Sequence, residues 1–413
     1  MFYRLTNTIR TYAWGSRDAL TELYGFELPG REPMAELWMG AHPRAVSRLT
    51  VDGVEIGLDE YIAANPERAL GVESTRDTAA DRLDAGLPFL FKILCAAAPL
   101  SIQVHPSLEQ ARAGFAAEEA AGLDRDAPNR NYRDDNHKPE LICAIRPFWG
   151  LRGFRSVEEI RDELTTVELS EADARPELPE SEDELGEFFR ELLLLSDGPR
   201  RELIAAAVAL SIGRWPGGKA DTVPEIGNPL ARYYWVLRIA EEHPGDIGVL
   251  SPLLFNVFSL QPGEATYQPA GVLHAYLHGV GAELMANSDN VLRGGMTVKH
   301  VDVDELMKVG RFRSEAPVVL VGDPVEGSSC REIEYPTPFS EFAFSRLVAG
   351  PECRVPVGTA QILFCHEGPL RLRCDGVELE LSAGESVFVD ATSNSLEVLG
   401  AGEVFRARIP EQP

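Results

Sequence analysis

Cationic residues are scarce in this chain of 413 residues: 39 Lys and Arg stand against 65 Asp and Glu, for a net charge of −26. So acidic a chain offers no basic face to nucleic acid. An anionic small ligand would need a local cluster of cations to hold it against the bulk field. Long apolar runs are missing as well. No segment approaches the roughly 20 residues a membrane helix needs, and the opening stretch MFYRLTNTIR has no apolar signal core. A cytoplasmic protein with neither a membrane nor a nucleic-acid partner is expected. The six Cys, at 95, 143, 330, 353, 365 and 374, include no C-x-x-C pair. Without an export signal, that scatter reads as reduced, mostly buried thiols, and it disfavours both a disulfide frame and a zinc finger.

What is present is enough apolar and charged sequence, 44% and 25%, for a soluble globular protein, at a length that calls for two or three domains. The first 150 residues read mainly as strands and turns. Ser16 and Gly25 bracket a short helix, Pro88–Val104 reads as two buried strands broken by Pro99, and Ser107–Gln110 forms a capping box that opens another helix. Between Ser156 and Glu242 the pattern turns helical. Ser156–Glu159 and Ser181–Glu184 are capping boxes, and Leu185, Phe188, Phe189 and Leu192 form an apolar stripe. Glu202–Ile212 and Pro229–Glu242 are helix-like, separated by the loop Trp215–Lys219, and the acids of this region are expected on solvated faces. Strand patterning returns at Gly248 and runs to the end, apart from a helix over Val303–Val309 capped by Asp302 and Glu305 and stopped by Gly310. The expected organisation is 1–150 together with 246–322 as one β domain, 151–245 as a helical insertion, and 323–413 as a second β domain. A weak repeat relates the two β regions. Leu260, Gly263, Glu264, Tyr267, Ala270 and His274 recur at the same spacing as Leu381, Gly384, Glu385, Phe388, Ala391 and Ser395.

The chemistry-bearing residues fall in three stretches. On a strand, residues two apart share a face. Ser101, Gln103 and His105 therefore line one face, and Lys138 and Glu140 another. A third strand supplies His274. Two imidazoles, a carboxylate and an amide oxygen form a mixed N/O set suited to Zn²⁺ with an open position. Burying three such clusters without a shared partner would cost several kcal/mol. The loop beyond His274 carries Glu283, Asn287, Ser288, Asp289, Asn290, Arg293 and Lys299. Arg293 and Lys299, with Lys92 and Lys138, are the cations available to a phosphate in this acidic chain.

Taken together, these stretches resemble the type I mannose-6-phosphate isomerases (phosphomannose isomerases) over most of residues 1–310. Gln103–Pro106 and Asn136–Glu140 carry the resemblance, along with Tyr12–Gly15, Ala35–Gly40, His274–Leu277 and Met285–Val291 followed by Arg293. It implies a mainly β fold of cupin-type jelly-roll barrels with a helical insertion and a C-terminal β domain; a monomer is expected. It also implies one zinc ion held by Gln103, His105, Glu140 and His274, and a phosphosugar substrate interconverted as aldose and ketose through a cis-enediol. By the same resemblance Arg293 is essential for catalysis, and Ser101, Lys92, Lys138, Lys299, Trp14 and Tyr276 lie around the substrate. The base remains open among Lys138, Glu283, Asp289 and a metal-bound water. Met296, Val298 and His278 depart from the family pattern, and the match fades after about residue 323.

Two other functions fit the same pattern less well. A cupin dioxygenase would favour Fe²⁺ and more His, whereas here an amide ligand sits beside a cationic loop. A non-catalytic sugar-binding cupin leaves Arg293 beside a full ligand set unexplained. No Gly-rich nucleotide signature supports a fused guanylyltransferase.

Overall fold

The computed structural model describes residues 1–71, 86–169, 175–217, 222–393 and 395–410. It is mainly β, with helices both in one insertion and outside it, Leu108–Ala120 the longest of the latter. A ten-stranded sheet system is built around the strand His274–Ala286, whose first part pairs with Phe148–Phe154 and Gln103. Its second part lies between Phe89–Ala96 and Glu140–Ala144. The register shifts between Tyr276 and His278, and Gly279 follows, where φ is 130° and an added Cβ would lie 2.6 Å from the Pro147 carbonyl oxygen. Only glycine tolerates both conditions. His274 and Glu283, on either side of this irregularity, both come near Glu140.

Phe89–Ala96 is buried along its whole length, as its apolar run predicts, and the break at Pro99 precedes the short strand Gln103–Val104. The interior between the sheets is filled by Leu94, Ala96, Ile142, Ala144, Phe148, Phe258, Leu260 and Tyr276. Four helices of nine or more residues, Val157–Thr165, Leu185–Leu193, Asp197–Arg214 and Ala231–Glu242, lie between Phe148–Phe154 and Phe255–Leu260, two strands that pair with each other. The insertion docks through its apolar stripe. Leu185, Phe188, Phe189 and Leu192 are buried, and the Phe189 ring lies 5.5 Å from Phe154 and 5.7 Å from Phe255. Each such buried side chain contributes about 1.5–3 kcal/mol.

The C-terminal residues form a second β unit of a seven-stranded and a four-stranded sheet. Its outermost strand on one side is the chain's first, Phe2–Leu5, paired with Ser386–Val389. One apolar cluster joins both units, from Leu37, Phe91 and Leu284 to Phe344, Phe364 and Phe405.

The repeat recurs as geometry. Gly263 and Gly384 have φ of 90° and 88°, and their N–H groups donate to Ala144 and Cys365 at 2.8 and 2.9 Å. Glu264 and Glu385 each accept from the N–H three residues earlier, at 2.8 and 2.7 Å. Gln361 then stands opposite Val389 as Glu140 stands opposite Gln268. In the C-terminal copy, Gln361 accepts from Arg406 at 2.8 Å, and Arg406 also pairs with the buried Glu332 at 2.8 Å. A cationic side chain there completes a polar cluster that the N-terminal copy builds from Glu140 and two His.

Several local expectations are corrected. Cys330 and Cys353 are disulfide-bonded, whereas Cys95, Cys143, Cys365 and Cys374 are free and buried. The pairing joins residues 23 apart that only the fold brings together, so spacing gave no sign of it. Ser107 and Ser156 close capping boxes. Ser181 does not: Glu182–Glu184 forms a 3₁₀ turn, and Glu184 accepts from the Glu180 N–H instead. Strand structure resumes at Phe255, because Asp246 caps a turn at Ile247–Leu250 and a short helix follows at Ser251–Leu254. Glu163 leaves the solvated face expected of it, accepting from Tyr233 at 2.6 Å and pairing with Arg155 at 3.5 Å. In the loop Trp215–Lys219, Gly218 and Lys219 lie outside the described residues. Among the described residues no helix is long and apolar enough to cross a membrane.

Candidate metal centre

His105, Glu140 and His274 converge. Their ligating atoms all lie within 4.8 Å of one another, and all three side chains are buried. Glu140 lies between the imidazoles, Oε1 at 3.3 Å from His105 Nε2 and Oε2 at 3.3 Å from His274 Nε2. Each imidazole is oriented from behind, His105 Nδ1 by the Asn290 carbonyl at 2.8 Å and His274 Nδ1 by the Val272 carbonyl at 2.9 Å. A carbonyl only accepts, so Nδ1 carries the proton and the Nε2 lone pair faces the cluster, the arrangement of a metal-ligating histidine. Burial, followed by Lys138, pushes His105 down to about 4, so this ring is neutral at neutral pH. His105 Nε2, Glu140 Oε2 and His274 Nε2 have no hydrogen-bond partner. Three orphaned donors in one buried place fit a cation. Gln103 lies opposite both His274 and Arg293 in the strand register, which puts its side chain on the same face.

Around this trio the charges are paired. Burial alone would raise Glu140, but Lys138 and the two His more than reverse it and hold the carboxyl well below the usual range. Lys138 bonds Glu140 directly, as the shared face predicts. Lys92 lies 3.0 Å from Glu283 and 3.4 Å from Glu36, with the Trp38 ring 5.1 Å away. Burial lowers Lys92, yet Glu283, Glu36 and Glu140 outweigh it and the net direction is up. Burial raises Glu283 against the opposing pull of Lys92. The Tyr276 hydroxyl feels both Glu140 and Glu283 but makes no hydrogen bond of normal geometry. Trp14 packs against the interior cluster that includes Tyr276, and Ser101 lies partly buried two residues before Gln103.

The polar loop after this strand is woven into the segment that precedes Glu140. Asn290 donates to the Asp134 and Asn136 carbonyls, both at 2.8 Å, and accepts from the Arg133 N–H at 2.7 Å. Ser288 donates to Asp134 at 2.8 Å. Turn chemistry therefore has a second use here, since the same Asn290 carbonyl orients His105. Asp289 pairs with Arg44 at 3.0 Å and lies 3.7 Å from His42. Arg293 and Lys299 form no salt bridge among the described residues. Burial, then Arg133, lowers Arg293; burial, then Arg293, Arg133 and Arg44, lowers Lys299. Arg293 and Lys299 thus share a region with Arg133 and Arg44, which pair with Asp126 at 3.5 Å and Asp289 at 3.0 Å, and Lys92 and Lys138 are also committed to carboxylates. Sequence reasoning missed Glu36, His42, Arg44 and Arg133. The run Ala41-His42-Pro43-Arg44 directly follows the motif Ala35–Gly40.

The C-terminal unit reaches this segment too. His137 bonds the buried Glu341 at 2.6 Å, while Phe339 packs on Tyr267 at 5.6 Å. Glu341→Ala is expected to lower stability by about 1–3 kcal/mol, because His137 loses its partner. Thermal denaturation checks it, and a change under about 0.5 kcal/mol would show the bond to be dispensable.

Residues 2–157 match the model of the phosphomannose isomerase type I catalytic domain. Over 407 residues the chain is 40% identical to mannose-6-phosphate isomerase of Salmonella typhimurium, covering 98% of each. The chain belongs to the type I mannose-6-phosphate isomerase family. Its reach within the family is wide, with 31% identity to the Rattus norvegicus mannose-6-phosphate isomerase over 98% of both chains. Among solved structures, the family fold recurs in the Salmonella typhimurium mannose 6-phosphate isomerase bound to fructose 6-phosphate and zinc. The TM-score is 0.87 at 38% identity, covering 99% of this chain and 100% of that one. A mannose 6-phosphate isomerase bound with zinc and yttrium gives the same TM-score, 0.87, and the same identity.

Proposed function

We propose that the chain interconverts mannose 6-phosphate and fructose 6-phosphate as a zinc-dependent aldose–ketose isomerase working through a cis-enediol. The observation that carries this reading is the buried trio His105, Glu140 and His274, each with one unpaired atom, in a chain of this family. Gln103, His105, Glu140 and His274 would hold the zinc. When bound, it supplies a Lewis acid for the sugar oxygens at the reacting carbons. Arg293, next to Gln103 in the register, stabilises the negative charge that develops on the enediolate. Lys299, with Arg133 and Arg44 nearby, anchors the phosphate and fixes the inert end of the sugar. Lys138, Glu283 and Asp289 are the groups for moving the proton between neighbouring carbons. The raised Glu283 carboxyl suits a group that must both take and return it. Lys92 keeps Glu283 in place, and Ser101, Trp14 and Tyr276 line the sugar site.

In this reading the chain is a monomeric cytoplasmic enzyme of cupin-type jelly-roll architecture. The catalytic unit is 1–150 with 246–322, minus the strand Phe2–Leu5; 151–245 is the insertion, and 323–413 is a degenerate second cupin that has lost its metal. Turnover of mannose 6-phosphate, measured before and after chelation and again after adding Zn²⁺, tests the proposal. Loss on chelation and recovery on addition are expected. A zinc-loaded protein without turnover would mean that the site was kept and the substrate changed.

A further inference from the structure

Gln268 ends the strand Ala265–Gln268 and stands directly opposite Glu140 in the antiparallel register. Opposed residues of such a pair share a face, with Cβ atoms about 4.5–5.5 Å apart. The Gln268 side chain therefore lies on the face from which Glu140 meets His105 and His274. The residue is 0% exposed, and neither Nε2 nor Oε1 has a hydrogen-bond partner. A buried primary amide with both ends unmade is destabilising, and proteins rarely keep one without a use. A Leu or Met at this position would fill the space without that penalty.

The other orphaned atoms contributed by this cluster are His105 Nε2, Glu140 Oε2, His274 Nε2 and the Tyr276 hydroxyl. A cation satisfies the two imidazoles and the carboxylate. It does nothing for the Nε2 donor of an amide. An oxygen that carries a proton can do what the metal cannot, accepting from Nε2 and donating to Oε1. We infer that Gln268 hydrogen-bonds an oxygen brought to the metal cluster, either a water or a sugar hydroxyl, and is a further binding residue of this centre. The inference rests on the zinc isomerase reading above. It assigns a role to an amide on the strand that faces Glu140, separate from Gln103.

Gln268→Met keeps length and volume and removes both polar atoms. Zinc affinity is measured by chelator competition without sugar, and fructose 6-phosphate affinity by calorimetry on zinc-loaded protein. One of the two is expected to fall about 10-fold or more, in the range seen when groups behind metal ligands are removed. A fall in zinc affinity assigns the partner as water, and a fall in sugar affinity alone assigns it as a hydroxyl. The metal-free variant should also melt at a higher temperature than its parent, because the unmade amide is gone. Both affinities staying within about twofold of the parent would overturn the inference, whatever the melting point. The parent titrations are read separately: a parent that binds no zinc overturns the metal reading itself. If the variant does not fold, the zinc-loaded parent decides by crystallography. An oxygen within about 3.2 Å of the Gln268 amide supports the inference, and an amide bonded only to protein groups overturns it.

Discussion

The His274→Ala protein is expected to be purified without zinc and to turn over no sugar phosphate. His274 is completely buried, its Nδ1 is committed to the Val272 carbonyl, and its Nε2 is one of three orphaned atoms facing the cluster. Removing it leaves His105 and Glu140, and no other described His, Cys, Asp or Glu joins that pair. The loss can be read without activity. A ligand that binds only the folded state at 100 times its Kd adds about 2.7 kcal/mol of stability. Zinc should therefore raise the melting point of the parent and leave that of His274→Ala unchanged. Full zinc occupancy in the variant would show that another group takes the position, and the assignment of this strand would fall.

Arg293→Ala should behave in the opposite way, keeping its zinc and losing turnover by about 10³-fold, as removal of a charge-stabilising donor does elsewhere. Burial, with Arg133 nearby, disfavours the charge on Arg293, and no salt bridge offsets this among the described residues. A cation kept under those conditions serves a ligand or a developing charge, so its removal should not destabilise the protein. Arg293→Lys is expected to recover little, because a point charge does not reproduce the planar fork. The check is kcat together with metal content on the same preparation. Near-normal kcat would take Arg293 out of the chemistry.

How far the chain could be read from its residues depended on how local each signal was. Alternation on a strand placed Lys138 and Glu140 on one face, and they are bonded. Capping boxes at Ser107 and Ser156 mark true helix starts because the interaction closes within four residues. The same pattern at Ser181 failed where Glu184 found a different N–H. The glycine–glutamate turn of the repeat survived because φ near 90° demands glycine in both copies. What stayed hidden was set by register. Nothing near Gln268 in sequence indicates that it faces Glu140, and nothing near His137 points to Glu341 more than 200 residues away. Asp289 illustrates the intermediate case. The sequence shows it as an acid in a polar loop, but its Arg44 partner is a matter of tertiary packing.

The strand Phe2–Leu5 has a further effect, on how the chain is made. It pairs with Ser386–Val389, so during synthesis it must wait for a partner made much later. At about 5–20 residues per second that wait is roughly 20–80 s. Through that interval an edge of backbone donors and acceptors, flanked by Phe2 and Leu5, is open to the wrong neighbour. The pairing that completes this side of the C-terminal sheet can therefore form only late in synthesis.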